Sequence, residues 1–211
     1  MITYRPVRAE ELEEVTALLT ESFCNYSFFE MYMDNKEKQY KFLRAILEVG
    51  IKATYTKYII MVGVQNNKIV SVAQLKAPDT SKISLMDYVL AGGIKILLAG
   101  GLSNTFGFLK MLKETSSICH HLSGRVWYLE FFAVSASCQG QGVGSNMLEN
   151  CIIPYIQKSG GGLLTLITNS EQNRAFYTKN GFEEFHEMFI RRNGKEIGNW
   201  SYRMKIEKIT T

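Results

Sequence analysis

Val126-Trp127-Tyr128-Leu129-Glu130-Phe131-Phe132-Ala133-Val134 is followed, four residues later, by Gln139-Gly140-Gln141-Gly142-Val143-Gly144-Ser145. The first run is β-branched and aromatic and apolar on both faces, as a central strand is when other elements cover it from both sides. Glu130 is its single charge. After the glycines, Val143, Met147, Leu148, Cys151, Ile152, Tyr155 and Ile156 recur at helical spacing. A strand therefore runs through a glycine-rich loop into a helix start. The first N–H groups of a helix lack partners and carry the positive end of its dipole, so such a loop is an anion site that needs no side chain.

Working outward, Gly160-Gly161-Gly162 turns the chain into a strand over Leu163–Thr168. A helix over about 170–179 follows and is stopped by Asn180-Gly181. Two last strands are predicted near Phe182–Arg191 and Trp200–Ile206, joined at Asn193-Gly194. Upstream, Ile2 and Tyr4 alternate with polar residues in a short strand. Leu12, Val15, Leu18, Leu19 and Phe23 define a helix, and Tyr40, Leu43, Ile46 and Leu47 a second over Lys36–Leu47. Tyr58–Val64 and Ile69–Leu75 form a hairpin about Gln65-Asn66-Asn67-Lys68, since Asn accepts the left-handed backbone of a tight turn. From Ile83 to Leu112 the chain is apolar but interrupted by Asp87, Lys95 and Lys110 and by two Gly-Gly pairs, leaving charge-free runs below the roughly 18 residues of a spanning helix. Short amphipathic helices are expected there. Pro154, inside the helix after the loop, should kink it or loosen its last turn.

The loop fails two phosphate-binding patterns. No Gly-Lys-Ser/Thr follows it, so it is not a P-loop. Read as G-x-G-x-x-G, the last position is Ser145 counted from Gly140 and Met147 counted from Gly142. What fits is Q-x-x-G-x-G at Gln139, Gly142 and Gly144, with Asn173-Arg174-Ala175-Phe176-Tyr177-Thr178-Lys179-Asn180-Gly181-Phe182 downstream. Here the sequence resembles the GNAT superfamily of acetyl-CoA-dependent N-acetyltransferases. That family carries a Q/R-x-x-G-x-G/A loop after its fourth strand and often an N-x-x-x-Y-x-x-x-G-F segment beyond it. The resemblance spans nearly the whole chain, and the Ile83–Leu112 segment looks, more loosely, like the extra helices of a puromycin-acetyltransferase-like branch. Many members have Pro two residues after the strand's last Val, where this chain has Ala136.

The resemblance implies an α/β (α+β) fold, a mixed and mostly antiparallel central sheet flanked by helices. One domain over 1–211 is expected, with a helical insertion at about 83–122. It implies acetyl-CoA as acyl donor. Backbone groups of Phe132, Ala133 and Val134 would pair with the pantetheine arm. The N–H groups of Gln139, Gly140, Gln141, Gly142, Val143, Gly144 and Ser145 would hold the pyrophosphate, and Asn173 and Phe176 would contact the cofactor. Tyr177 matches the family's tyrosine near the acyl sulfur, where a phenol can protonate the departing thiolate. The plain alternatives are a capping role for Asn173 and a core role for Tyr177. Glu130 needs a reason on a central strand. Read as sharing a face with Tyr128, Phe132 and Val134, it is either a general base for the attacking amine or the partner of a cation.

The function implied is an acyltransferase moving acetyl to a primary amine of a small molecule by direct transfer in a ternary complex. A non-catalytic acyl-CoA-binding sensor and a protein N-acetyltransferase are the alternatives. Composition narrows the partners: a formal charge of +4 without a Lys/Arg block lacks the footprint of a nucleic-acid binder. Neither a nucleic acid nor a membrane is expected as partner, and the chain is expected as monomer or homodimer. Cys24, Cys119, Cys138 and Cys151 show no C-x-x-C spacing, and the start lacks a long apolar run, so free thiols and a cytoplasmic setting are expected. Cys138 stands before the loop, but no His in the matching motifs would activate it as a nucleophile. His120-His121 has no spaced ligand partners, so a solvated pair and no metal are expected.

Overall fold

In a computed structural model, residues 1–33 and 35–209 are described. Seven strands form one sheet in the order β1-β2-β3-β4-β5-β7-β6. They are β1 (Thr3–Pro6), β2 (Ile59–Gln65), β3 (Lys68–Lys76), β4 (Val126–Val134), β5 (Gly162–Thr168), β6 (Glu183–Arg192) and β7 (Lys195–Ile206). All neighbours are antiparallel except β4 and β5. The helices are α1 (Leu12–Phe23), α2 (Ser27–Glu30), α3 (Lys36–Thr54), α4 (Leu85–Leu90), α5 (Ile94–His120), α6 (Val143–Met147), α7 (Ile153–Lys158) and α8 (Glu171–Lys179).

Alternation along the strands builds two cores. Ile60, Val62, Val72 and Ala133 face α1, α3 and α5, where Phe108 of α5 is ringed by Phe28, Phe29, Tyr32 and Phe42 at centroid distances of 5.2–5.8 Å. Met61, Ala73, Leu75, Leu129 and Leu164 face the helices that follow the glycine loop, with Met147, Ile152 and Ile156 fully buried. Fully burying one such side chain is worth about 1.5–3 kcal/mol, so both faces of the sheet contribute to stability.

The hairpin turns are as the sequence predicts. Asn66 and Asn67 take φ of 50° and 59°, and Asn193-Gly194 takes 51° and 72°. Because the second turn is only two residues long, β7 begins at Lys195, five residues before the predicted Trp200. The helix predicted to end at Leu47 continues to Thr54, since Val49, Ile51 and Ala53 are buried and their packing outweighs the low propensity of Gly50. The insertion's second helix runs to His120 and is broken once, at Gly101 (φ 71°, ψ 168°). None of the described helices is long and apolar enough to cross a membrane.

Pro154 acts upstream of itself. It lacks an N–H and its ring crowds the carbonyl four residues back, at Asn150. The helix answers with a π-turn over Leu148–Ile152 between α6 and α7. The predicted loosening therefore lies before the proline, not in the last turn.

Candidate active site

The parallel pair β4–β5 is registered only at Val126↔Leu163, Trp127↔Leu164 and Tyr128↔Thr165. Beyond Tyr128 the two strands part, while β3 stays paired to β4 as far as Val134. From Leu129 onward, β4 thus has no strand partner on its β5 side. A wedge opens between the strand ends, floored by backbone groups able to pair with an extended ligand.

On the other side of β4 the ladder slips. Gln74 pairs with Phe131 and Leu75 with Leu129, so Glu130 is the extra residue of a β-bulge. The bulge reverses the parity of the strand. Phe131 packs toward α1, its ring 6.3 Å from that of Phe23, whereas Phe132 packs on the opposite core, 6.0 Å from Phe176. The expected common face of Tyr128, Glu130, Phe132 and Val134 is therefore not formed. Glu130 lies electrostatically near Lys76, Tyr58, Tyr88 and Tyr128. Water reaches it, yet protein surrounds it closely, and that desolvation pushes its carboxyl from 4.5 up to about 6 against the weaker pull of Lys76.

The glycine loop closes one end of the wedge. Gly140 and Gly142 take φ of 74° and 77°, a left-handed backbone that a side chain would strain. Gly144 is needed for a different reason: a Cβ there would stand 3.1 Å from the Phe176 ring, so glycine lets α6 pack against α8. No side chain caps α6, and the first N–H beyond the loop to find a backbone acceptor is that of Asn146, donating to Gly142 O at 2.9 Å. Among the described residues, the N–H groups of 140–145 find none. This is the donor set that a phosphate requires.

A hollow of about 410 Å³ runs along this loop, lined by Phe132, Ala133, Val134, Gln139, Gly140, Gly142, Val143, Gly144, Ser145, Asn173, Phe176 and Tyr177. It adjoins a smaller one of about 100 Å³ in the wedge, which Glu130 lines together with Phe132, Asn173 and Tyr177. The structure thus gathers the expected site residues around two adjoining hollows that share Phe132, Asn173 and Tyr177 in their walls, with one exception. Gln141 does not line it; its amide turns back to donate to Ser137 O at 2.9 Å. Gln139 lines it, while its amide donates to Val134 O at 3.0 Å, so that carbonyl already has a partner. Ala136 lies in a short 3₁₀ turn, Ala136–Cys138, that starts the loop.

Tyr177 lies at the junction of the two hollows. Its ring packs against Phe176, Phe182 and Tyr202 at 5.2–5.8 Å, so the core role holds. Its hydroxyl makes no hydrogen bond to any described residue, and burial raises its pKa, which keeps the phenol protonated at neutral pH. Tyr26, which follows α1, was not among the expected residues. Its hydroxyl accepts from the Asn169 N–H (2.7 Å) and lies 3.0 Å from Thr168 Oγ1, tying the α1 end to the free end of β5. Burial raises its pKa as well. Ser22, Phe23 and Gln172 also line the cleft. No local pattern marks them, because the fold alone brings residues about 145 positions apart to one wall.

Both paired histidines are exposed, as expected of a solvated pair. The His120 ring lies 4.3 Å from that of Tyr128, and the crowding, with Lys76 nearby, pushes its pKa down to about 4. No cluster of three His, Cys, Asp or Glu side chains suited to a metal ion occurs among the described residues. Cys24, Cys119, Cys138 and Cys151 are free thiols.

Residues 100–184 match the family model of the acetyltransferase (GNAT) domain, a span that covers most of α5, β4, the glycine loop and α6 to α8. Solved structures share the fold over the full chain. A protein of Corynebacterium glutamicum described as histone acetyltransferase HPA2 and related acetyltransferase aligns with a TM-score of 0.68 at 20% identity, covering 100% of this chain and 98% of that one. The polyamine N acetyltransferase of Drosophila melanogaster aligns at 0.62 and 14% identity, covering 97% and 100%. The ribosomal-protein-S18-alanine N-acetyltransferase of Escherichia coli aligns at 0.58 and 14%, covering 100% and 97%. No curated protein sequence matches significantly. Residues 100–184 thus match the acetyltransferase (GNAT) domain model, and the whole chain has the fold of the solved acetyltransferases it aligns with.

Proposed function

We propose that the protein transfers an acetyl group from acetyl-CoA to a primary amine of a small molecule, directly and within a ternary complex. The observation that carries this reading is the adjacency of two hollows. Unpaired N–H groups at 140–145 line the first, and the second, which shares Tyr177 in its wall, holds Glu130 beside the free edge of β4. A pyrophosphate on the loop and a pantetheine arm laid along Phe132 and Ala133 as an added strand put the thioester in the wedge.

Acetyl-CoA supplies the activated acyl group. This chain's residues supply the rest. Glu130, with a carboxyl near 6, is mostly ionised at neutral pH and suited to take a proton from the incoming ammonium, directly or through water. The edge of β4 that has no β5 partner offers backbone N–H groups for the developing oxyanion. The protonated Tyr177 hydroxyl, which has no other partner among the described residues, supplies the proton for the departing thiolate in this reading. Phe23, Phe131 and Phe132 give the wedge aromatic walls, on which the apolar part of the donor arm can rest.

An amine acceptor is in keeping with solved proteins of the same fold, which include an agmatine and a polyamine N-acetyltransferase. Thiol release from acetyl-CoA over a panel of amines tests the reading. Amine-dependent release is expected; tight CoA binding with no release on any amine would instead favour a sensor.

A further inference from the structure

The insertion between β3 and β4 presents a face that neither core nor the cleft uses. On α5, Ile94, Leu98, Leu102, Phe106 and Leu109 are 46–80% exposed, while Phe108, Met111 and Thr115 of the same helix are buried. In the same insertion, Leu85, Met86, Val89 and Leu90 of α4 are 58–81% exposed. Nine large apolar side chains on adjoining helices exceed the scattered exposure normal for a surface and mark a contact region.

The charge around this face points to what covers it. No charged residue occurs from Ile96 to Leu109, but Lys95 and Lys110 stand at the two ends and Lys113 one turn beyond. Beside the stripe is a hollow of about 860 Å³ whose lining includes Lys38, Lys41 and Lys95 together with Leu98. Lys41 and Lys95 rest on Glu37 and Glu48 at 2.6 Å, whereas Lys38 makes no ion pair among the described residues. Between residues 82 and 113 four lysines meet one acid, Asp87, which Lys57 holds at 2.6 Å. A second copy of this chain is a poor match. Either two-fold pairing of α5 with itself sets its lysine-bearing ends against those of the copy; Glu48 offsets Lys95 and Glu114 offsets Lys110, which leaves Lys113 of each copy without an acid among the described residues.

We propose that α4 and α5 form a peripheral docking face for an anionic lipid bilayer. The apolar stripe enters the headgroup region, and Lys38 and Lys113, which make no ion pair among the described residues, meet the lipid phosphates, their stems lying along the apolar surface. The contact is flat, not spanning, and runs counter to the expectation of no membrane partner. It is independent of the acyl-transfer reading.

The test is co-sedimentation of the full chain with vesicles of phosphatidylcholine alone or mixed with phosphatidylserine. The protein should sediment with the mixed vesicles, and salt should weaken this. The double variant Leu98→Ser/Phe106→Ser should lower partitioning at least about tenfold, since it removes two inserting side chains. Lys113→Gln should lower it about fivefold, the effect of about 1 kcal/mol per lysine. All three positions are exposed, so melting curves should match that of the parent chain. Sedimentation no greater with phosphatidylserine than without it would overturn the proposal. So would a lipid-free dimer, seen by sedimentation velocity, that the double variant dissociates; the stripe would then belong to a second copy.

Discussion

The hydroxyl of Tyr26 accepts the backbone N–H of Asn169 at 2.7 Å, joining the end of α1 to the point where β5 has swung away from β4. A parallel pair that parts after three residues leaves strand ends without ladder partners, and Tyr26 satisfies one of them. Tyr26→Phe leaves that N–H without its acceptor. The expected cost is about 1–3 kcal/mol of stability. A thermal melt should show it, together with a larger KM for the amine than the parent chain has.

Tyr177→Phe keeps the ring contacts to Phe176, Phe182 and Tyr202 and removes only the unpartnered hydroxyl. Steady-state kinetics should show kcat down by about 10²-fold or more, the usual range for losing a general acid. KM for acetyl-CoA and the melting temperature should stay close to the parent values. An unchanged kcat would leave Tyr177 with its core role alone.

Glu130 sets the expected pH profile. With its carboxyl raised from 4.5 to about 6, the base form fills as pH rises through 6, so kcat/KM should climb there and level off above. Stability runs the other way. A carboxyl raised on folding contributes stability that is complete below about 4.5 and is lost as pH rises through about 6. Glu130→Gln should remove the acidic limb of the rate profile and flatten the melting temperature between those pH values.

Much of this site was legible in the sequence, and what was not has a physical cause. The glycine loop, Asn173 and Tyr177 are local patterns whose neighbours along the chain are their neighbours in space. The parity of β4 was not legible, because a bulge at Glu130 depends on how β3 pairs with it, and alternation alone places Glu130 with Phe132. Tyr26 was hidden for the same reason, its partners lying 142 and 143 positions away. Helix α3 was read as ending at Leu47 because its apolar stripe was followed no further; burial of Val49, Ile51 and Ala53 carries it past Gly50 to Thr54.

The glycines separate two requirements. Gly142→Ala places a side chain at φ 77° and should cost about 1–2 kcal/mol of stability. Gly144→Val instead pushes on the Phe176 ring, which lines the donor hollow. It should raise KM for acetyl-CoA about tenfold, about 1.4 kcal/mol.

Phe108 joins the insertion to the rest of the fold through four rings. Phe108→Ala should cost about 3–5 kcal/mol in a denaturant titration, a large share of the 5–15 kcal/mol typical of a folded domain.

The central claim is that one cleft holds acetyl-CoA and passes its acyl group to an amine. Its most direct test is thiol release from acetyl-CoA across a panel of small primary amines, with the parent chain and Tyr177→Phe measured side by side. The account predicts release that requires the amine and falls with the variant while KM for acetyl-CoA holds. No release with any amine, or equal release by both proteins, would contradict it.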